Sequence, residues 1–314
     1  MQNTGSAPFA TPRVAVVVLS YNGCADTLCC LESLAAQTCP DLSVIVVDNA
    51  SADGSAAAIR ARFPAMRLIV LPENRGWAGG NNVGIVAALD RDAALICLLN
   101  NDTIVAPGTM EALAQAIVEL PSCVLHPGID YADPALGAQL DAGVKAEAQA
   151  LPDHPGVFPM HYAYGACLMV PASLFREIGL FDERFFLQLE EADFYARARR
   201  LGVRALCLPG VRIVHAESRS FGGRTTPLKT YYIVRNQMLM AEKHTPGLAA
   251  RVSALRAALW SVLKLRDASG RGGAILWLLS ADPHARAARM GLIDYMLRRF
   301  GAASADRVRA LAPR

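Results

Sequence analysis

The stretch "RVAVVVLSY", Arg13 to Tyr21, decides the architecture. Val14 to Leu19 are apolar without a break, and four of the six are valine. A strand with one wet face would alternate polar and apolar residues. A continuous β-branched run that ends in polar residues is instead the mark of a parallel strand covered on both faces. The pattern repeats outward from it. "ADTLCCLESLAAQ" has helical periodicity. "DLSVIVVDNAS" is a second buried strand, followed by the helix "GSAAAIRARF". Then come "RLIVL", a glycine-rich stretch with its helix, "AALICLLNNDT", and the helix "PGTMEALAQAIVEL", where Pro107 suits a first turn. Four β-α units within about 120 residues predict an open α/β sheet with helices on both faces.

Ligands of such sheets gather beyond the carboxyl ends of the strands. Polar residues cluster at those positions: Ser20, Tyr21 and Asn22 after the first strand, Asp48 and Asn49 after the second, Asn74 after the third, and Asn100, Asn101 and Asp102 after the fourth. The stretch "NRGWAGGNNVG", Asn74 to Gly84, holds four glycines and three asparagines around Trp77. Glycine inside an element costs roughly 0.5–1 kcal/mol relative to alanine, so this cluster reads as a loop. The loop is either a plain surface turn or one whose amides converge on a ligand. It carries no GxGxxG and no GxxxxGK[ST] pattern.

The chain has 314 residues, 53% hydrophobic and 19% charged, with a formal net charge of +3. It is a folded protein, and neither the charge nor any dense Lys/Arg tract points to nucleic acid. The opening "MQNTGSAPFATP" lacks the basic and apolar regions of a secretory signal and reads as a frayed leader. No window reaches 18 uncharged apolar residues; the nearest, "GGAILWLLSA", is too short to span a bilayer. Eight cysteines match no zinc spacing, and Cys97, Cys167 and Cys207 sit in apolar runs, so reduced thiols in a cytoplasmic protein are expected.

From Pro127 to Pro159, with five prolines, no long element is expected. "YGACLMVPASLFREIG" reads as a strand feeding a helix, and "RALCLPGVRIVHAESRS" as one or two strands. "FFLQLEEADFYARARRLG" ends in an amphipathic helix whose start gathers Glu190, Glu191 and Asp193. Close like charges raise one another's pKa and can poise a general base. The same residues also suit an acidic first helical turn. Asp102 follows a buried strand, where a carboxylate either holds a hard cation with phosphate oxygens or caps a turn. His215 ends "VRIV" as a metal ligand or a structural histidine. A diphosphate–metal site beside a separate carboxylate base suggests displacement at a carbon bearing a nucleotide leaving group.

Taken in order, "VAVVVLSYNG", "VVDNASADGS", "NRGWAGGNNVG", "LLNNDT", "GLFDERFFLQLEEADFYARARRLG" and the "VH" ending at His215 resemble family 2 glycosyltransferases of the GT-A fold, close to bacterial rhamnosyltransferase-like members. The resemblance covers about Arg13 to Phe221. It implies a mostly parallel nucleotide-binding sheet with helices on both faces and a mainly helical C-terminal extension. The implied division is a leader (1–12), a catalytic domain (13–220, with a donor half at about 13–120 and an acceptor half at about 121–220), and a helical region (221–314) facing acceptor or membrane.

By resemblance, Ser20, Tyr21, Asn22 and Asp48 serve the nucleotide, with Asp48 on the pyrimidine. The stretch Asn74, Gly76, Trp77, Gly79, Gly80 and Asn81 wraps the donor. The family's Asp-x-Asp falls on Asn100, Asn101 and Asp102, leaving Asp102 to carry the metal, with His215 as a further ligand. Glu191 matches the family's base, where aspartate is usual, with Glu190 beside it and Asp193 able to share the work. The resemblance implies an inverting transferase that needs Mg²⁺ or Mn²⁺. Its donor would be dTDP-rhamnose, or a UDP-linked hexose or galactofuranose. Its acceptor would be a glycan or lipid-diphosphate-linked glycan at the inner face of the cytoplasmic membrane. A nucleotidyltransferase would need a basic pyrophosphate loop near the first strand, which "LSYNGCADTL" lacks. A non-catalytic nucleotide-sugar-binding module would have no use for both Asp102 and Glu191.

Overall fold

The computed structural model describes residues 12–120, 122–132, 149–161, 164–216, 226–269 and 273–311. Most of the leader, much of the proline-rich stretch and the "ESRS" after Ala216 lie outside the described residues.

Four parallel strands form one half of the sheet: β1 (Val14–Ser20), β2 (Leu42–Asp48), β3 (Arg67–Val70) and β4 (Leu95–Asn100). They lie in the order β3-β2-β1-β4, as the repeated β-α pattern predicts. Alternate residues of β1 serve opposite cores. Val14, Val16 and Val18 pack with Leu31 and Leu34 of α1 (Cys24–Ala35) and Met110 and Leu113 of α4 (Thr109–Glu119). Ala15 and Val17 pack with Ala78 and Ile85 of α3 (Gly76–Leu89). Each fully buried valine contributes about 1.5–3 kcal/mol relative to exposure, which fixes β1 as the spine of the sheet.

The rest of the sheet adds antiparallel pairs to this parallel half. The order continues β4-β8-β6-β9-β5, through β8 (Cys167–Pro171), β6 (Cys123–Tyr131), β9 (Arg204–His215) and β5 (Thr103–Val105). Here β8 runs antiparallel to both its neighbours, β6 and β9 are parallel, and β5 is antiparallel to β9. The sheet is mixed. A later strand enters from the opposite end and seats itself beside β4, which a β-α alternation in sequence does not encode.

Two local expectations change. The proline-rich stretch begins inside a nine-residue strand, β6, because Pro127 and Gly128 sit at a register shift that spares the ladder a missing N–H. The glycine-rich stretch is helical from Gly76 onward rather than a loop. Only Gly76 uses positive φ, at 71°. Gly80 and Gly84 answer close packing of helix on sheet, while Gly79 is crowded by Arg75 and Glu183. A Cβ on Gly80 would lie 2.3 Å from Leu19 Cδ1, and one on Gly84 2.2 Å from Val17 Cγ1. The cost of helical glycine is offset by this approach.

After the sheet the described chain is helical: α7 (Pro227–His244), α8 (Ala249–Ser269), α9 (Ala274–Leu279), α10 (Pro283–Met296) and α11 (Ala305–Leu311). Helix α7 starts on Pro227 behind Thr226, whose hydroxyl accepts from the Lys229 amide. Among the described residues no helix is long and apolar enough to cross a membrane.

Candidate active site

Parallel register brings the strand ends together. Ser20 stands opposite Asp48, and Leu19 opposite Asn100, so the residues that follow emerge side by side at one edge. There a cleft of about 250 Å³ is lined by Tyr21, Asn74, Gly76, Trp77, Asn100, Asn101, Asp102, Glu190, Glu191 and His215 among others. Ten residues singled out from sequence thus share one cavity.

One wall is a polar chain. His215 closes β9 opposite Thr103 of β5, which sets its Nε2 3.1 Å from Asp102 Oδ1 and 3.4 Å from Asn100 Nδ2. Trp77 Nε1 donates to Asn100 Oδ1 at 3.2 Å. Asn101 is tied back to α1 through Thr27 Oγ1 at 2.9 Å. Among the described residues no group of three or more His, Cys, Asp or Glu side chains could enclose a metal ion. Asp102 and His215 nonetheless offer adjacent oxygen and nitrogen donors. Mg²⁺ is typically held by one or two carboxylates plus substrate phosphates rather than by an all-protein cage, so this pair fits such an ion.

The cleft is also lined by Glu190 and Glu191, the first two residues of helix α6 (Glu190–Arg199). Glu190 is buried, its Oε2 has no hydrogen-bond partner, and burial together with the Glu191 charge pushes its pKa well above the usual carboxylate range. Glu191 is half-buried, and desolvation raises its pKa too. In such a pair the more deeply buried acid keeps its proton, and the other is the ionised one. Gly165 leaves room for this. A Cβ there would lie 3.0 Å from the Trp77 ring and 3.4 Å from Glu191 Oε1.

The segment that delivers α6 is strained. Phe186, Gln188 and Leu189 all have positive φ, at 63°, 73° and 72°. Such conformations cost on the order of 1–3 kcal/mol each for non-glycine residues, and they persist where the surroundings impose them. The Phe186 carbonyl accepts from Trp77 N at 2.7 Å, joining this segment to the start of α3.

Seven other expected residues lie outside the cleft lining. Ser20 is fully buried beneath it, hydrogen-bonded to Thr27 Oγ1 at 2.9 Å. Asn22 clips two loops together, accepting from Ala52 N at 2.8 Å and donating its own N–H to Ser51 Oγ at 3.0 Å. Asp48 accepts from Ser51 N at 2.8 Å, while its buried Oδ2 has no hydrogen-bond partner. Gly79 and Gly80 serve packing, and Asn81 donates to the Trp77 carbonyl at 2.9 Å. Asp193, expected to share the base's work, is directed away from the cleft. It is fully buried and bonded to Arg197 at 3.1 Å and to Lys243 and His244 at 2.8 Å each. Its oxygens are engaged by these partners and do not line the cleft.

The structure gives Asn49, marked in sequence only as a strand-end polar residue, a specific task, and adds Lys229. Asn49 accepts from Arg75 N at 2.9 Å and donates to Asn74 Oδ1 at 3.0 Å, bracing the start of α3. Lys229, buried in the first turn of α7, brings a cation to the cleft. The only hint of it in sequence is the helix start "TTPLK".

The sequence model for glycosyl transferase family 2 matches residues 15–179. The chain belongs to glycosyl transferase family 2. It is a glycosyltransferase that draws on a nucleotide-activated sugar, built on a GT-A-like fold. An N-acetylglucosaminyl-diphospho-decaprenol L-rhamnosyltransferase of Mycobacterium tuberculosis is 24% identical, over 75% of this chain and 86% of its own. Among solved structures, S. aureus TarS 1-349 shares the fold with a TM-score of 0.58 and 19% identity, over 91% of this chain and 82% of its own. The mannosyltransferase PcManGT from Pyrobaculum calidifontis, solved with GDP-Man and Mn²⁺, gives 0.52 and 19%, over 93% of this chain and 88% of its own. The family model ends before α6, so the acidic pair of the cleft lies beyond it.

Proposed function

We propose that this family 2 glycosyltransferase moves rhamnose from dTDP-rhamnose to a hydroxyl of a glycan or lipid-diphosphate-linked glycan, with inversion at the anomeric carbon. The observation that carries the reading is the cleft whose lining gathers Asp102 and His215 with the Glu190–Glu191 pair. Glu191 takes the proton from the acceptor hydroxyl, the oxygen bonds to the anomeric carbon, and the bond to the nucleoside diphosphate breaks in the same displacement. Buried Glu190 keeps its proton and so keeps a second negative charge from the site. Lys229 faces the charge that develops on the leaving diphosphate. Asn49 and Tyr21, which line the cleft at the strand ends, are assigned to a pyrimidine nucleotide, with buried Asp48 beneath them. Asp102 and His215 would hold a Mg²⁺ or Mn²⁺ ion, which when bound offsets the charge of the diphosphate. The choice of sugar is supported by the rhamnosyltransferase relative. Transfer assays over dTDP-rhamnose, UDP-hexoses and UDP-galactofuranose test it, with product configuration read by NMR. Turnover fastest with dTDP-rhamnose and an inverted product is the expected result. Preference for a UDP-sugar would reassign the donor, and retained configuration would refute the single displacement.

The same proposal places the enzyme loosely on an anionic membrane. Leu248, Val252, Leu255 and Leu259 recur at helical spacing on and just before α8, all exposed, with Leu255 at 70%. Exposed Arg251 and Arg256 flank this stripe, and α9 adds Ile275, Leu276 and Leu279. Such a mixture suits a lipid surface, where each Lys or Arg near anionic headgroups contributes about 1 kcal/mol. The protein should float with anionic liposomes at low salt and be released at high salt. If it stays at the bottom of the gradient at low salt even with a lipid-linked acceptor present, the membrane role is lost.

A further inference from the structure

We infer that Arg235 and Asn236 of α7 are positioning residues: a buried clamp that imposes the strained shape of residues 184–189 and thereby sets Glu190 and Glu191 in the cleft. The inference rests on the reading of that acidic pair as the site of proton transfer.

Both side chains are fully buried, although neither type is at home in a core. What they reach explains them. The Asn236 amide donates to three backbone carbonyls, Phe185 at 2.9 Å and Leu187 and Gln188 at 2.8 Å. Arg235 Nη2 donates to the carbonyls of Arg184 at 3.1 Å and Phe185 at 3.0 Å, and Nη1 to that of Gly301 at 2.8 Å. Arg235 Nε donates to Asn236 Oδ1 at 3.0 Å, which turns the amide nitrogen toward the loop. The guanidinium also lies 4.9 Å from the centre of the Tyr232 ring, and that ring stacks on Phe186 at 5.4 Å. Two adjacent residues thus hold four of the five carbonyls from Arg184 to Gln188, all but that of Phe186, together with the ring next to them.

Those carbonyls need such partners. A segment with positive φ at Phe186, Gln188 and Leu189 follows neither helix nor strand, so its carbonyls find no ladder, and buried ones must be satisfied by side chains. Helix packing alone would be served by apolar residues at these two positions. An arginine and an asparagine aimed at one strained stretch are suited to holding its shape. The clamp comes from the C-terminal helices, outside the part of the chain that the family model matches.

The test compares wild type with Asn236→Ala and Asn236→Asp, whose carboxylate would face the same carbonyls without a donor. In the clamp's absence, amide exchange over Phe185–Glu191 should quicken by about 10-fold or more, while β1 and β4 keep their protection. Titration with dTDP should give an affinity within about threefold of wild type, whereas kcat falls by about 30-fold or more with little change in donor KM. Adding Leu189→Gly, which makes positive φ cheap at a residue outside the cleft lining, should restore about tenfold of the lost kcat. A general packing defect would not be repaired in that way. Unchanged exchange in the loop, loss of dTDP binding and sheet protection together with kcat, or no recovery with Leu189→Gly would each overturn the clamp. Faster exchange with undiminished kcat would overturn its positioning role. Should the Asn236 variants fail to fold, Arg235→Lys keeps the charge but loses the Nε bond that turns the amide, and is read by the same measurements. Glu191→Gln, assayed in parallel, separates a mistaken base from an idle clamp, because normal turnover there counts against the base alone.

Discussion

Glu191→Gln should lower turnover by about 10²–10⁴-fold while nucleotide binding stays close to wild type. Glutamine keeps nearly the shape of glutamate but cannot accept the proton of the incoming hydroxyl. The environment adds a pH signature. Desolvation raises the Glu191 pKa, so the carboxylate ionises above the ordinary value of about 4.3. The base works only when ionised. Wild-type kcat should therefore climb with pH along an acidic limb displaced upward from an ordinary glutamate, and that limb should vanish from the residual activity of Glu191→Gln. Glu190→Gln makes a useful contrast. If Glu190 already carries its proton, the amide stands in for a neutral acid and the loss should be far smaller. Equal losses in the two variants would mean that the pair works as one unit, with no division into base and neutral partner. Full activity in Glu191→Gln would remove it from the mechanism. Asp193 is not the natural replacement, because its ion pairs with Arg197 and Lys243 already occupy it.

Asp102→Ala should be nearly as severe, at about 10²–10³-fold in turnover, because it removes the carboxylate that would hold an ion against the diphosphate. Stripping divalent ions with EDTA should abolish wild-type transfer, and Mg²⁺ or Mn²⁺ should restore it. Mn²⁺ binding in the presence of a nucleoside diphosphate, followed by electron paramagnetic resonance, gives a readout independent of turnover and should weaken in Asp102→Ala. His215 contributes an imidazole nitrogen 3.1 Å from Asp102 and no carboxylate, so His215→Ala should weaken ion binding less. Full activity after exhaustive chelation would exclude the ion from the reaction.

The strand-end side of the cleft was legible because buried parallel strands write themselves as unbroken apolar runs, and their polar ends mark where ligands collect. Val14 to Leu19 and Leu95 to Leu99 needed no other clue. The place of Asp102 at such an end followed directly. What escaped depends on contacts between residues distant in sequence. Nothing near "CLMVP" announces that β8 will lie beside β4. The glycines of α3 look like a loop until Val17 and Leu19 are seen pressed against them. Asp193 looked like a third acid of the site because its partners Lys243 and His244 arrive from α7. Lys229, Arg235 and Asn236 escaped for the same reason. A lone basic or amide residue in a helical tail carries no period and no motif until the fold shows what it touches.

The insertion of β8 between β4 and β6 also governs how the chain must assemble. β4 ends at Asn100, and the partner for its open edge begins at Cys167. At about 5–20 residues per second of synthesis, that edge waits roughly 3–13 s for its neighbour. During this interval the nascent polypeptide presents "LICLLN", an apolar strand with unpaired amides and carbonyls, to whatever is nearby. The four parallel strands cannot close their own sheet as they leave the ribosome. Their protection is deferred to a strand made later, and the heaviest demand on chaperones falls between those two points of translation.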